Sequence, residues 1–258
     1  MKPIAVITLS ATGAEQAGRL VKDLKGCDLF VHGSVARRCD GTRFDSVRML
    51  TRQIFRRYKG LVYVLPCGVA VRAIDGFLKG KKEDPAVVVV DVGGRYAISL
   101  LSGHEGGAND LALQVANCLG AEPVITTTTE AEKSLIVGVG CRRGISADAV
   151  VSAIKKALGI AKARIGQVRF LATVDIKKDE AGLLKAAARL GVGLRFISSG
   201  EIRSTARSFQ HSSRAARLVK LPAVAEPAAL LAGRRTRLVL RRIIHHGVTV
   251  AIARENCL

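Results

Sequence analysis

The stretch ISLLSGHEGGANDLA, residues 98–112, gathers side chains suited to chemistry at one junction. An apolar run stops at Ser102, and a helical pattern takes over by Ala108. Gly103, His104, Glu105, Gly106 and Gly107 lie between them. An imidazole titrates near neutral pH, so His104 suits general acid or base work, with Glu105 as the other candidate base. Glycine lets a backbone approach a ligand closely, and a helix start carries N–H groups without partners inside the helix. Gly106 and Gly107 would then turn amides toward an anion. A tight turn with an N-cap and a surface histidine accounts for the same residues.

A second cluster is GVGCRRG, residues 138–144, which follows an apolar strand and precedes a helix with Ser146 as N-cap. It has one residue too many for the dinucleotide fingerprint, and Asp175 comes too late to serve as the acidic partner. Arg142 and Arg143, beside Gly140 and Gly144, suit carboxylate or phosphate oxygens. Cys141 reads either as a nucleophile whose pKa the helix start and arginines lower, or as a small packing residue. The third cluster is PCGVAVR, residues 66–72, where Gly68 meets a helix start with Arg72 one turn in. A plain strand-to-helix turn explains it equally well. Together the three junctions suggest one shared cleft. His245 and His246 read as a turn between two strands. As strand neighbours they would point to opposite faces, and no spacing of His, Asp and Glu predicts a metal site.

Elements that could position these residues alternate along the chain. Strands are expected at 3–9, 28–32, 61–65, 86–91, 96–101, 123–126, 135–139, 168–173, 193–197, 236–241 and 248–252. Helices are expected at 13–25, 45–58, 67–78, 106–119, 146–158, 178–190, 199–208 and 224–232. This pattern is α/β: two domains, 1–130 and 134–258, each a largely parallel sheet flanked by helices. The run Val87–Val90 suits a strand buried on both faces, and Val92–Arg95 suits a hairpin from 86 to 101. Strand 96–101 would deliver Ser102 and Gly103 to the carboxyl edge of its sheet, where open α/β sheets bind ligands. The segment 207–220, with Arg207, Arg214, Arg217 and Lys220, reads as a mobile loop.

Composition narrows the partners. With 41 basic and 21 acidic side chains the net charge is +20, which attracts polyanions: nucleic acid, or a small ligand rich in carboxylates. Only 4% of residues are aromatic and no base-stacking motif is present, which argues against nucleic acid. No apolar run approaches the roughly 18 residues of a membrane span, and the short run Ile4–Ile7 reads as a first strand, so no signal peptide is expected. A cytoplasmic protein is expected, with no membrane partner. The cysteines at 27, 39, 67, 118, 141 and 257 form no C-x-x-C pair and are expected to be reduced and mostly buried.

The blocks LVYVLPCGVAVRAI, KKEDPAVVVVDVGGRYAISLLSGHEGGANDLA, GAEPVITTTTE and GVGCRRGISADAVVSAI together resemble the CbiG family of cobalamin biosynthesis. LPAVAEPAALLAG and GVTVAIA extend the resemblance toward the end of the chain. It implies a cobalt-precorrin-5A hydrolase of the anaerobic vitamin B12 route. Such an enzyme opens the δ-lactone of a cobalt-bound macrocycle and releases acetaldehyde to give cobalt-precorrin-5B. Cobalt would arrive within the substrate, so no cofactor is expected, and other corrinoid pathway enzymes or a second copy are the protein partners implied. His104 or Glu105 would activate water. Ser102, Gly103, Gly106, Gly107, Asn109, Gly68, Arg72 and residues 140–144 would bind substrate, with Gly106, Gly107 or Arg142 facing the oxyanion. Family members often carry a middle segment where this chain has only Glu130–Ser134. A non-catalytic corrinoid carrier is the alternative reading, and a nucleic-acid-binding module a weaker one.

Overall fold

The structure, a computed structural model, describes residues 2–36 and 40–256. It divides into two compact units, Met1–Thr127 and Thr128–Leu258. Cys39 and Cys257 lie outside the described residues, as does the side chain of Arg214.

In the first unit the elements are β1 (Lys2–Thr8), α1 (Ala11–Asp23), β2 (Cys27–His32), β3 (Thr42–Phe44), α2 (Val47–Ile54) and β4 (Tyr58–Val64). Then come α3 (Cys67–Ile74), β5 (Ala86–Val90), β6 (Tyr96–Leu101), α4 (Ala108–Leu119) and β7 (Glu122–Val124). The strands lie in the order β3-β2-β1-β4-β5-β6-β7. Neighbours are parallel except β5 and β6, which form the expected hairpin. Asp91 closes that hairpin by accepting from the amides of Gly93, Arg95 and Tyr96.

Strand side chains alternate between two faces. Val62, Val88 and Val90 pack with Leu20 of α1 and Val115 of α4. Leu61, Val87 and Val89 pack with Ile54 of α2 and Ile74 of α3. Each fully buried valine contributes roughly 1.5–3 kcal/mol. A strand covered on both sides therefore needs the unbroken apolar run seen at β5. The short edge strand β3 has no such run, since Thr42 and Arg43 are exposed.

The second unit begins with α5 (Thr128–Ala131), β8 (Leu135–Cys141), α6 (Ala147–Ile160), β9 (Val168–Val174), α7 (Ala181–Leu190) and β10 (Leu194–Ile197). It ends with α8 (Ser199–Ser204), α9 (Ser213–Val219), α10 (Ala225–Leu231), β11 (Arg237–His245) and β12 (Val248–Arg254). Strand order is β10-β9-β8-β12-β11. The first three are parallel, while β12 runs antiparallel to both β8 and β11. Val137, Leu171 and Val250 face Ile154 of α6 and Leu183 of α7. Ile136, Ala172 and Ala253 face Ile202 of α8 and Ala229 of α10. Ser146 caps α6 as expected, accepting from the Ala149 amide.

Several expectations need correction. Residues 207–220 are not wholly loop: Ser212 accepts from the Ala215 amide and starts α9. The turn read at His245–His246 is present: β11 ends at His245, and His246, with a φ of +47°, has left it, which brings the two ring centroids to 4.0 Å. The described cysteines are not buried: Cys27, Cys118 and Cys141 are half-exposed and Cys67 is exposed. No helix among the described residues is long and apolar enough to cross a membrane.

Candidate functional site

The loop from Ser102 to Gly107 closes on itself. Ser102 carbonyl accepts from the Ala108 amide at 3.1 Å, and Gly103 carbonyl from the Asn109 amide at 3.0 Å. Closure requires the glycines. A Cβ on Gly106 would stand 2.3 Å from the Ser102 Cβ, and one on Gly103 would stand 2.9 Å from Asn109 Oδ1. Gly107 has a φ of +81° and precedes α4, so the helix starts after both glycines rather than at Gly106. Asn109 is buried; it accepts from Ser99 Oγ at 2.8 Å and donates to Thr127 Oγ1 at 3.0 Å. Its amide group is thus committed to the loop's own frame. Ser102 is also buried, with a φ of +58°, and its hydroxyl has no hydrogen-bond partner among the described residues. His104 and Glu105 stand exposed at the tip.

The antiparallel β5–β6 pairing corrects the expected location of this loop. Leu101 lies opposite Val87, near the start of β5, and Ala97 opposite Val90 at its end. Ser102 therefore emerges where β4 and β5 begin, not at their carboxyl ends. Cys67, Gly68 and Arg72 follow the carboxyl end of β4, at the other edge of the sheet. The two junctions do not share a cleft within this unit. Arg72 donates back to the Gly68 carbonyl at 3.3 Å, and both residues are exposed.

In the second unit the GVGCRRG glycines serve packing first. A Cβ on Gly138 would lie 1.9 Å from the Ala225 carbonyl oxygen, and one on Gly140 would lie 3.3 Å from the Val224 Cβ. Their absence of side chains lets the start of α10 rest on β8. Gly144, with a φ of +71°, donates its amide to Glu180 at 3.0 Å. That N–H is therefore engaged within the protein. Arg142 and Arg143 are exposed beside it.

A cavity opens where β8 and β9 end, at the carboxyl edge of the parallel strands. Cys141, Val174 and Val224 line it, and Leu218 and Val219 of α9 wall one side. Its cationic lining is Arg142, Lys177 and Arg242. Two buried carboxylates brace these walls. Glu180 holds Gly144 and lies 3.6 Å from Lys177 Nζ. Glu226 accepts from the amides of Gln210 at 2.7 Å and Arg242 at 2.9 Å.

Burial raises the Cys141 thiol pKa; Lys177 opposes that rise and Glu180 reinforces it. That rise favours the packing reading of Cys141 over the nucleophile reading. Lys177, Arg242, Glu180 and Glu226 were not among the expected site residues. Arg242 and Glu226 stand inside apolar-flanked elements, and nothing in their local spacing marks them; only the fold joins them. Residues 128–258 hold 24 of the 41 Lys and Arg but only 9 of the 21 Asp and Glu, so this unit carries most of the excess positive charge.

Residues 49–130 match the family segment described as Cobalamin synthesis G N-terminal, and residues 135–253 match Cobalamin synthesis G C-terminus. The chain belongs to the cobalamin synthesis G family. The N-terminal segment of the family holds the Ser102–Asn109 loop and Gly68, and the C-terminal segment holds the cavity. A cobalt-precorrin-5A hydrolase of Priestia megaterium is 28% identical, over 81% of this chain and 82% of its own length. A cobalt-precorrin-5A hydrolase of Salmonella typhimurium is 51% identical over 79 residues, 31% of this chain and 22% of that protein. Protein CobE of a Sinorhizobium species is 30% identical over 49% of this chain and 83% of its own length. The Priestia alignment spans 306 positions against the 258 residues of this chain, so that cobalamin synthesis G relative carries inserted residues.

Proposed function

We propose that this chain hydrolyses the δ-lactone of cobalt-precorrin-5A and releases acetaldehyde, yielding cobalt-precorrin-5B. Family membership and the names of two relatives support the reading. One observation of geometry carries it further: a closed loop displays His104 and Glu105 to solvent beside glycine amides that bond to nothing else among the described residues.

The chemistry follows from those groups. His104 or Glu105 takes a proton from water as the oxygen adds to the lactone carbonyl. The N–H groups of Gly106 and Gly107 face the oxyanion that develops. Collapse breaks the ring C–O bond and leaves a carboxylate and an alcohol. Loss of the alcohol proton then breaks the adjoining C–C bond, frees acetaldehyde and leaves an electron pair on the macrocycle, which takes up a proton. Ser102, Gly103 and Asn109 shape the loop that carries these groups. Cobalt belongs to the substrate, and the chain needs no cofactor of its own. A cytoplasmic setting, exchange of corrinoid with other pathway enzymes and self-association as a homodimer complete the reading.

Anaerobic incubation with cobalt-precorrin-5A and assay of acetaldehyde tests it. One equivalent per substrate is expected, and His104→Ala with Glu105→Ala should slow turnover about 100-fold or more. Corrinoid binding without acetaldehyde would make the chain a non-catalytic carrier.

A further inference from the structure

We infer that the cavity at the ends of β8 and β9 seats one face and edge of a cobalt corrinoid bearing free carboxylates. This rests on the reading above, because it names where that substrate class would bind. It adds Ile176, Lys177, Leu218, Arg242 and Ile244 to the residues expected from the sequence.

Three observations converge on this place. First, large apolar side chains are left uncovered around one opening: Ile176 is 50% exposed, Leu218 62% and Ile244 71%, and all three line the cavity. Such a group is what a flat, apolar ring would cover. Second, Arg142, Lys177 and Arg242 stand around the same opening. A cation beside an apolar shelf matches a macrocycle whose faces are apolar and whose rim carries carboxylates. Third, the walls are held by groups within the protein. Glu226 fixes the backbone at Arg242 and Gln210, and Glu180 fixes Gly144 beside Arg142. The polar groups therefore stand pre-positioned on a braced frame, which lowers the ordering cost of binding. Cys141 is held as the thiol, and Glu226, the carboxylate in the lining, is committed to the Gln210 and Arg242 amides.

The test uses the full chain and two probes, cobyrinic acid and its fully methyl-esterified form. They share a ring and differ in charge. Binding is read by equilibrium dialysis from the visible absorbance of the corrinoid. The wild-type chain should retain cobyrinic acid, and the affinity should fall as salt rises; the ester should bind with little salt dependence. Leu218→Asp should weaken cobyrinic acid at least tenfold, and Arg142→Ala and Arg242→Ala several-fold each. Leu184→Asp, at a leucine of α7 outside the lining, should bind like wild type. Thermal unfolding of each variant confirms that the fold persists.

No retention by the wild-type chain, or wild-type affinity in Leu218→Asp and Arg242→Ala together, overturns the assignment. So does a change in oligomeric state in Leu218→Asp with corrinoid affinity unchanged, which would make the shelf a protein contact. The hydrolase reading fails separately, by absence of acetaldehyde from cobalt-precorrin-5A. A chain that releases acetaldehyde with unaltered KM in Leu218→Asp keeps the reading and loses the cavity.

Discussion

Asn109 and Thr127 are joined by a 3.0 Å hydrogen bond from the side-chain amide of the first to the hydroxyl of the second. The same Asn109 accepts from Ser99, so one buried side chain ties β6, the loop and the TTTT segment together. Asn109→Ala removes both bonds and leaves two hydroxyls to find other partners. A loss of about 1–3 kcal/mol is expected, measured by urea unfolding. An unchanged midpoint would show that this residue does not frame the loop.

The glycines divide into two groups with different expected costs. Gly107 has a φ of +81° and open space where a Cβ would go, so Gly107→Ala should cost about 1–2 kcal/mol in backbone strain alone. Gly138→Ala drives a Cβ to 1.9 Å from the Ala225 carbonyl, which is main chain and cannot swing aside. It should cost more than about 3 kcal/mol or prevent folding of the second unit. Equal melting temperatures for the two variants would contradict this ranking.

Much of this fold is legible because burial leaves a pattern. β6 runs over the expected residues, Tyr96–Leu101, and β5 is the unbroken valine run that two covered faces demand. β3 is illegible because it is three residues long at a sheet edge. α9 is hidden by its exposed Ser213 and Arg217, although Leu218 and Val219 belong to the cavity wall. The loop's place in the sheet illustrates a different failure. A hairpin over 86–101 already reverses β6, so Ser102 has to leave at the amino edge of β4 and β5. Reading each strand end as the same edge conflicts with that hairpin. Local spacing brings out His104 and Arg142; it does not reveal Glu180 or Glu226, whose carboxylates accept from backbone amides 36 and 16 residues away.

Cys141 and Cys67 should label at different rates. Cys67 is exposed, whereas Cys141 is half-buried with a raised pKa, so its thiolate is scarcer at a given pH. Iodoacetamide followed by peptide mass analysis should find Cys67 modified first, and labelling of Cys141 should accelerate only above the ordinary thiol range. Cys141→Ser should retain acetaldehyde release. Loss of activity in that variant with an intact fold would return the thiol to the chemistry.

Alkaline stability carries the signature of Tyr63. Burial pushes its phenol from 10.0 up to about 12, with the Thr51 hydroxyl partly opposing the rise. The folded chain holds this proton more tightly than the unfolded chain. The linked stability is therefore complete below pH 10.0 and is lost as pH rises through about 12. That gap corresponds to about 3 kcal/mol at most. Tyr63→Phe should flatten this part of the pH profile while costing about 1 kcal/mol at neutral pH through the lost 2.8 Å bond to Thr51. An identical alkaline slope in both proteins would rule out Tyr63 as its source.

Glu226 tests whether the cavity wall is braced as a unit. The residue is 1% exposed on a helix otherwise made of alanine, leucine and Pro227, a costly place for a carboxylate without partners. Its two oxygens accept from two backbone amides, one before α9 and one in β11. Glu226→Ala removes both acceptors at once. Glu226→Gln keeps one oxygen but turns an NH2 group toward the other amide, so it relieves only half the loss. Hydrogen exchange should therefore accelerate at the amides of Gln210 and Arg242 in both variants, more in Glu226→Ala, with a stability loss of about 2–4 kcal/mol for the alanine. Because Arg242 lines the cavity, corrinoid affinity should fall in the same order while the Asn109–Thr127 bond stays intact. Faster exchange across the whole second unit, with no local excess at these two amides, would mean that Glu226 supports the core and does not brace the wall.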